Sequence, residues 1–150
     1  DHAGGNELVP NATIVVQRRE WQAAQDPETA AKVGLFKADF DHGHPVRQIE
    51  GEYDLFGDGS VVCLPTYGHT PGHQSLKVRT ERGEIVLTGD ACYFCRSLRE
   101  RRLPRFVYDR EQMLTSLDRL AALEKGGAKL FFGHDPEFWK DVPQAPVPAF

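Results

Sequence analysis

The stretch Arg110–Lys125, followed at once by the apolar run Lys129–Phe132, constrains the fold most. Asp109 stands where a helix needs its N-cap, and Gln112 falls three residues later in the capping-box position. Met113, Leu117, Leu120 and Ala121, with Leu123 or Glu124, recur at helical spacing, so one apolar stripe must find a core. Gly126 supplies the stop. Upstream, Ser60–Leu64, Gln74–Arg79 and Glu84–Thr88 read as strands, the last two separated by the turn Thr80-Glu-Arg-Gly83. Ala12–Gln17 is β-branched and bounded by Pro10 and Asn11, which reads as a buried strand. Arg18–Gln25 and Pro27–Val33 read as short helices, and the proline-rich tail Pro143–Phe150 as an irregular surface segment. Strands, then a helix, then a strand make this a mixed α/β chain.

With 150 residues, no internal repeat, and 14 glycines and 10 prolines scattered rather than gathered into a linker, residues 1–150 read as one domain. Eighteen basic against 22 acidic residues give a net charge of −4, which lacks the basic footprint of a nucleic-acid binder. No apolar run approaches the roughly 20 residues that cross a bilayer, so no membrane partner is expected. Cys63, Cys92 and Cys95 are an odd count in a chain unlike a disulfide scaffold, which suits reduced thiols and a cytoplasmic location. Cys92 and Cys95 form a single C-x-x-C. Without a second pair they read as neighbours in a loop rather than half of a zinc ribbon.

The chemistry lies in where histidine and aspartate fall. Asp1-His-Ala-Gly-Gly5, Gly68-His-Thr-Pro-Gly-His73, Thr88-Gly-Asp90 and Phe131-Phe-Gly-His134-Asp135 each put such residues beside glycine at a strand end or loop. Glycine lets the chain turn sharply there, bringing imidazoles and carboxylates to one mouth. That donor set suits Zn²⁺ or a similar divalent ion. His42-Gly-His44 has a tempting His-x-His spacing, but Pro45-Val-Arg47 follows it, so it reads as a surface loop. Trp21 and Trp139 read as packing residues, and Asp135 as a residue that caps or orients its loop.

Here a resemblance becomes specific. Asp1-His2-Ala-Gly-Gly-Asn6 is similar to the end of the His-x-His-x-Asp-His signature of the metallo-β-lactamase superfamily. Gly68–Leu76, Thr88-Gly-Asp-Ala-Cys-Tyr93 and Phe131–Asp135 resemble, in order, the later motifs of its N-acyl-homoserine lactone lactonase branch. The resemblance implies the C-terminal portion of an αββα sandwich, with the chain beginning inside the signature and its first two histidines absent. It implies two divalent metal ions, zinc before iron, cobalt or manganese, bridged by Asp90. One would be held by His69, Asp90 and the two absent histidines, the other by Asp1, His2, Asp90 and His134. His73 would steady a ligand rather than bind metal. A hydroxide shared by the metals would open a lactone ring, acyl-homoserine lactones first, as in quorum quenching. Tyr93 would hold the developing oxyanion and Asp1 would shuttle a proton to the leaving oxygen. A homodimer is also implied.

Arg96, Arg99, Arg101, Arg102 and Arg105 against Glu100 give residues 96–105 a local charge of +4. Such a run ordinarily forms a solvated loop, yet it follows Asp90 and Tyr93 closely, so Arg96 and Arg99 are candidates to border the pocket and attract an anionic substrate. Two alternatives stand beside the lactonase: a glyoxalase II-like thioesterase, which shares the His-Thr-x-Gly-His motif, and an inactive fragment or metal-binding module. Gln74-Ser75-Leu76 and Asp90-Ala-Cys-Tyr93 favour the lactonase.

Overall fold

A computed structural model describes residues 2–144. Two sheets organise the chain. The larger has five strands in the order β3 (Tyr53–Asp54), β4 (Val61–Pro65), β5 (Gln74–Thr80), β6 (Gly83–Leu87) and β7 (Lys129–Phe131). Neighbours run antiparallel except β6 and β7, which are parallel. Parallel strands need a crossover. Helices α4 (Cys95–Glu100) and α5 (Arg110–Lys125) supply it and lie on one face of the sheet.

Register sets that face. Val62, Lys77, Val86 and Leu130 are opposite one another across four strands. Val86 and Leu130 meet Leu117 and Leu120 of α5 in a cluster that also takes in Leu64, Leu98 and Phe132. Each leucine fully buried there contributes about 1.5–3 kcal/mol. On the opposite face Ile85 and Phe131 pack against Val142, whereas Leu87 is 40% exposed.

The smaller sheet pairs β1 (Ile14–Gln17) in parallel with β2 (Val46–Ile49), through helices α1 (Arg18–Gln25), α2 (Pro27–Val33) and α3 (Lys37–Phe40). Gln17, fully buried, joins the two sheets. Its amide donates to Gly51 O (2.9 Å), while its oxygen accepts from Gly51 N (3.1 Å) and the Tyr67 hydroxyl (3.0 Å). A buried amide is tolerated only when satisfied in this way.

The helices Arg18–Gln25, Pro27–Val33 and Arg110–Lys125 lie where the sequence puts them, and the strand bounds differ by one or two residues. Asp109 caps α5 by accepting Gln112 N (3.0 Å). Gly126 ends it in a right-handed conformation, and the positive φ falls one residue later, at Gly127. One expectation changes. Residues 96–105 are not all loop: Cys95–Glu100 is helical and ends where Arg101 turns left-handed, at φ 52°. The short strands β2 and β3, helix α3 and helix α6 (Pro136–Lys140) had no clear signal. Of the tail, residues 145–150 lie outside the described residues, as does Asp1.

Candidate metal centre

The centre forms where strands run out. β6 ends at Leu87 and passes through a 3₁₀ turn, Gly89–Ala91, that carries Asp90; its parallel neighbour β7 ends two residues before Gly133-His134. Both strands therefore deliver their following loops to the same edge. They are bonded closely: Thr88 N donates to Phe131 O (3.0 Å), Gly133 N to Cys92 O (3.2 Å) and His134 N to Tyr93 O (2.9 Å). A side chain at Gly133 would have its Cβ only 2.6 Å from Gly89 O, so the approach demands glycine.

The third loop, Gly68–His73, joins β4 to β5 and brings His69. Tyr108 N donates to Gly68 O (2.9 Å) and to His69 O (3.1 Å), and Thr66 N donates to His73 O (3.0 Å).

Three imidazoles converge on one carboxylate. His69 Nε2 and His2 Nε2 lie 3.3 and 3.4 Å from Asp90 Oδ2, and His134 Nε2 lies 2.8 Å from Asp90 Oδ1. The Asp90 side chain is 3% exposed. Burial opposes its ionisation, but the hydrogen bond from His69, the charges of His2 and His69, and the hydrogen bond from His134 outweigh this and hold it well below the usual carboxylate range.

The donor set fits a divalent ion. Bonds of about 2.0–2.2 Å in a tetrahedron put neighbouring ligand atoms roughly 3.3–3.5 Å apart, the separation of His2 and His69 from Asp90. His2, Asp90 and His134 offer ligand atoms all within 4.8 Å, and among the described residues no other group of three His, Cys, Asp or Glu does so. These are three of the four residues that the resemblance assigns to one metal. His69, which the resemblance assigns to the other metal, approaches the same Asp90 oxygen as His2, whereas His134 approaches the second one.

His73 stands behind this set. Its Nε2 accepts Asp90 N (3.1 Å), and its Nδ1 meets the Thr66 hydroxyl (2.9 Å). Burial first, then the neighbouring charge of His69, pushes its pKa down to about 4, so the ring is neutral at pH 7. Thr66 in turn meets Ser75 Oγ (2.8 Å), which donates to Thr88 O (2.8 Å). Thr66 had no signal in the sequence, and Ser75 was marked only as part of the Gln74-Ser75-Leu76 resemblance, because the polar role of both appears only once β4, β5 and β6 are paired.

Tyr93 faces the centre edge-on. Its ring centroid is 4.6 Å from that of His134 and 5.9 Å from that of His69. Burial, the charge of Asp90 and a hydrogen bond to that carboxylate push its pKa up to about 12, which keeps the phenol protonated and able to donate. Arg96 and Arg102 line a small cleft of about 170 Å³ shared with Tyr93. Arg99 has a different partner: both terminal nitrogens of its guanidinium donate to the Glu124 carboxylate of α5.

The remaining candidates are structural. His42 is exposed in the loop before β2, and His44 Nε2 meets Val9 O (3.0 Å). Asp135 caps α6 through Phe138 N (3.2 Å). Trp139 donates to Phe132 O (2.8 Å), and Trp21 packs on Phe40. Cys92 is buried, which pushes its thiol up to about 12, and all three cysteines are free.

The chain is similar to known proteins along nearly all of its length. The chain is 37% identical to the N-acyl homoserine lactonase AttM of Azorhizobium caulinodans, over 97% of this chain and 58% of that protein. It is 40% identical to the N-acyl homoserine lactonase AiiA of Bacillus thuringiensis subsp. kurstaki, over 91% of this chain and 52% of that one. It superimposes with a TM-score of 0.84 on an N-acyl homoserine lactone hydrolase solved with the product N-hexanoyl-L-homoserine at its catalytic metal centre. Identity there is 37%, over 98% of this chain and 56% of that one. The chain thus spans a little over half the length of the relatives it matches. The sequence pattern of the metallo-beta-lactamase superfamily matches residues 1–134, and with Asp90 gathering His2, His69 and His134 at the strand ends, the chain belongs to that superfamily.

Proposed function

We propose that this chain carries the metal-binding and oxyanion-binding part of a lactone hydrolase, with N-acyl-homoserine lactones as substrates and two zinc ions as cofactors. The observation that carries the reading is the convergence of His2, His69 and His134 on the buried carboxylate of Asp90, with the Tyr93 phenol beside it. Bound divalent ions supply Lewis acidity, which activates water and polarises a carbonyl.

The chain's own residues supply the rest. Asp90, His2 and His134 would hold one ion, and His69 would contribute with Asp90 to a second. His73, neutral at pH 7, holds the Asp90 backbone and adds no competing charge. Tyr93 donates its phenolic hydrogen to the lactone carbonyl oxygen as negative charge develops there, a contribution made more strongly in the transition state than in the ground state. Asp1 takes a proton from the attacking water and passes it to the ring oxygen as it leaves. Arg96, in the cleft beside Tyr93, offers a positive border for the carboxylate that ring opening creates. The relatives named as lactonases favour this reading over the thioesterase. Free cysteines suit a cytoplasmic setting.

Metal content and turnover test the proposal together. The chain is loaded with zinc and assayed on N-hexanoyl-homoserine lactone and on a glutathione thioester. Lactone opening that is lost in Asp90→Asn supports it. Turnover of the thioester alone, or of neither substrate with zinc fully bound, overturns it.

A further inference from the structure

The loop Gly68–His73 holds His69 and His73 at the centre, and it is anchored on three sides. Thr66 N fixes its end through His73 O, and Tyr108 N and Asp109 N fix its start through Gly68 O. Between the two histidines the anchor comes from the other sheet: Glu20 Oε2, on α1, accepts the Gly72 amide at 2.5 Å. The fit is close on both sides of that bond. A Cβ at Gly72 would run into the Glu20 backbone nitrogen and stand 2.6 Å from its Cβ. Glu20 also lines the cavity of about 370 Å³ whose wall includes His2, His69, His73 and Asp90.

We propose that Glu20 is a positioning residue for the metal centre. It grips the Gly72 amide so that His69 stays aimed at Asp90, coupling the β1–α1 unit to the ligands. The inference deepens the metal-centre reading and rests on it. A carboxylate suits the task because a charged acceptor makes a shorter, stronger bond to a backbone amide than a neutral one does. With Glu20 gone, the buried Gly72 N–H loses its partner. The loop then keeps its ends and the Tyr108 bond to His69 O but loses its hold at Gly72, and His69, three residues away, gains freedom at a place where small displacements matter. Partners that orient metal ligands typically change affinity by about 10–100-fold when removed.

The test compares the full chain with Glu20→Ala and Glu20→Gln, using Co²⁺ alone as the probe and its visible absorption as the readout. Glu20→Ala should weaken cobalt binding by about tenfold or more and alter the absorption envelope, while its urea midpoint shows that it remains folded. Glu20→Gln keeps an oxygen at the same reach and should restore most of both. A second readout needs no metal: in the metal-free chain, Gly72 amide exchange should speed up in Glu20→Ala and the His69 ring signals should shift, with Glu20→Gln again close to the parent. Unchanged cobalt affinity and spectrum in Glu20→Ala would overturn the proposal, and so would equal damage in both variants. If the parent chain takes up no cobalt, the metal-centre reading fails. The His69 ring signals then decide the positioning claim: unmoved in Glu20→Ala, they refute it.

Discussion

Replacing Gly133 by alanine should injure stability and the centre together, because the added methyl falls between the two loops that build it. The new Cβ would lie 2.6 Å from Gly89 O, 3.1 Å from Gly89 C and 3.3 Å from Asp90 Oδ1. An ordinary carbon–oxygen contact is about 3.3–3.6 Å, so the loops must part by roughly 0.7 Å or more. The neighbour that must yield is backbone, not the free end of a side chain. The Gly133 N to Cys92 O bond, already 3.2 Å, would stretch past the useful range, and His134 Nε2 would leave its 2.8 Å contact with Asp90. Overpacking of this kind costs about 1–3 kcal/mol. The weakened backbone bond adds about 1 kcal/mol. The expected loss is thus about 2–4 kcal/mol in urea unfolding, or roughly 5–15 °C in Tm for a chain of this size. Zinc affinity, measured by chelator competition, should fall by about 10–100-fold, as it does when a ligand's support is removed. Gly4→Ala serves as the control, since a Cβ there meets nothing within 4 Å. If Gly133→Ala matches the parent in both stability and zinc affinity, the loops are not held as tightly as argued.

Three further outcomes follow from other parts of the molecule. Tyr93→Phe should lower kcat for lactone opening by about 100-fold while leaving KM and zinc content near the parent values, because the phenol acts on charge that develops in the transition state; a KM effect alone would refute that role. Leu120→Ala, at a position with no exposure in the α5–sheet core, should cost about 2–5 kcal/mol in urea unfolding without changing zinc affinity per folded chain. In the metal-free protein, His73 takes up its proton near pH 4 when folded, against about 6.5 when unfolded, so the unfolded state binds more protons in between. Stability should be level above pH 6.5, fall by about 3 kcal/mol as the pH drops towards 4, and level off again in this contribution; His73→Gln should flatten that interval.

What the sequence reveals depends on how far each signal reaches. Helix α2 is legible because its cap is local: Asp26 accepts Thr29 N (2.8 Å), Pro27 starts the helix and Gly34 ends it in the left-handed region. Helix α4 is not legible. Phe94 provides no side-chain cap, and the amide of Cys95 is bound instead by Asp135 Oδ2 (2.8 Å), forty residues away, so the arginine-rich run reads as solvated loop. Strand β2 is hidden for a similar reason: Val46-Arg-Gln-Ile49 exposes its two middle residues and exists by pairing with β1, far back in the chain. The centre divides the same way. Its candidate ligands are marked by nearby glycines, whereas Glu20 and Thr66 are ordinary residues until the strands come together.

The same reasoning explains why Tyr93 and His134 act as one unit although 41 positions separate them. Gly133 N donates to Cys92 O, His134 N donates to Tyr93 O, and Asp135 Oδ2 accepts Cys95 N. Three consecutive residues after β7 are thus bonded in turn to the loop after β6. The result is a short ladder continuing beyond the parallel pair, where regular pairing has stopped. Its rungs fix the peptide on which each side chain stands, and the two rings meet at 4.6 Å as a consequence. Asp135, next to the ligand His134, closes the ladder and caps α6 as well. A change at Asp135 should therefore reach the Tyr93 phenol and the His134 ring alike, although its own side chain faces two helices rather than the centre.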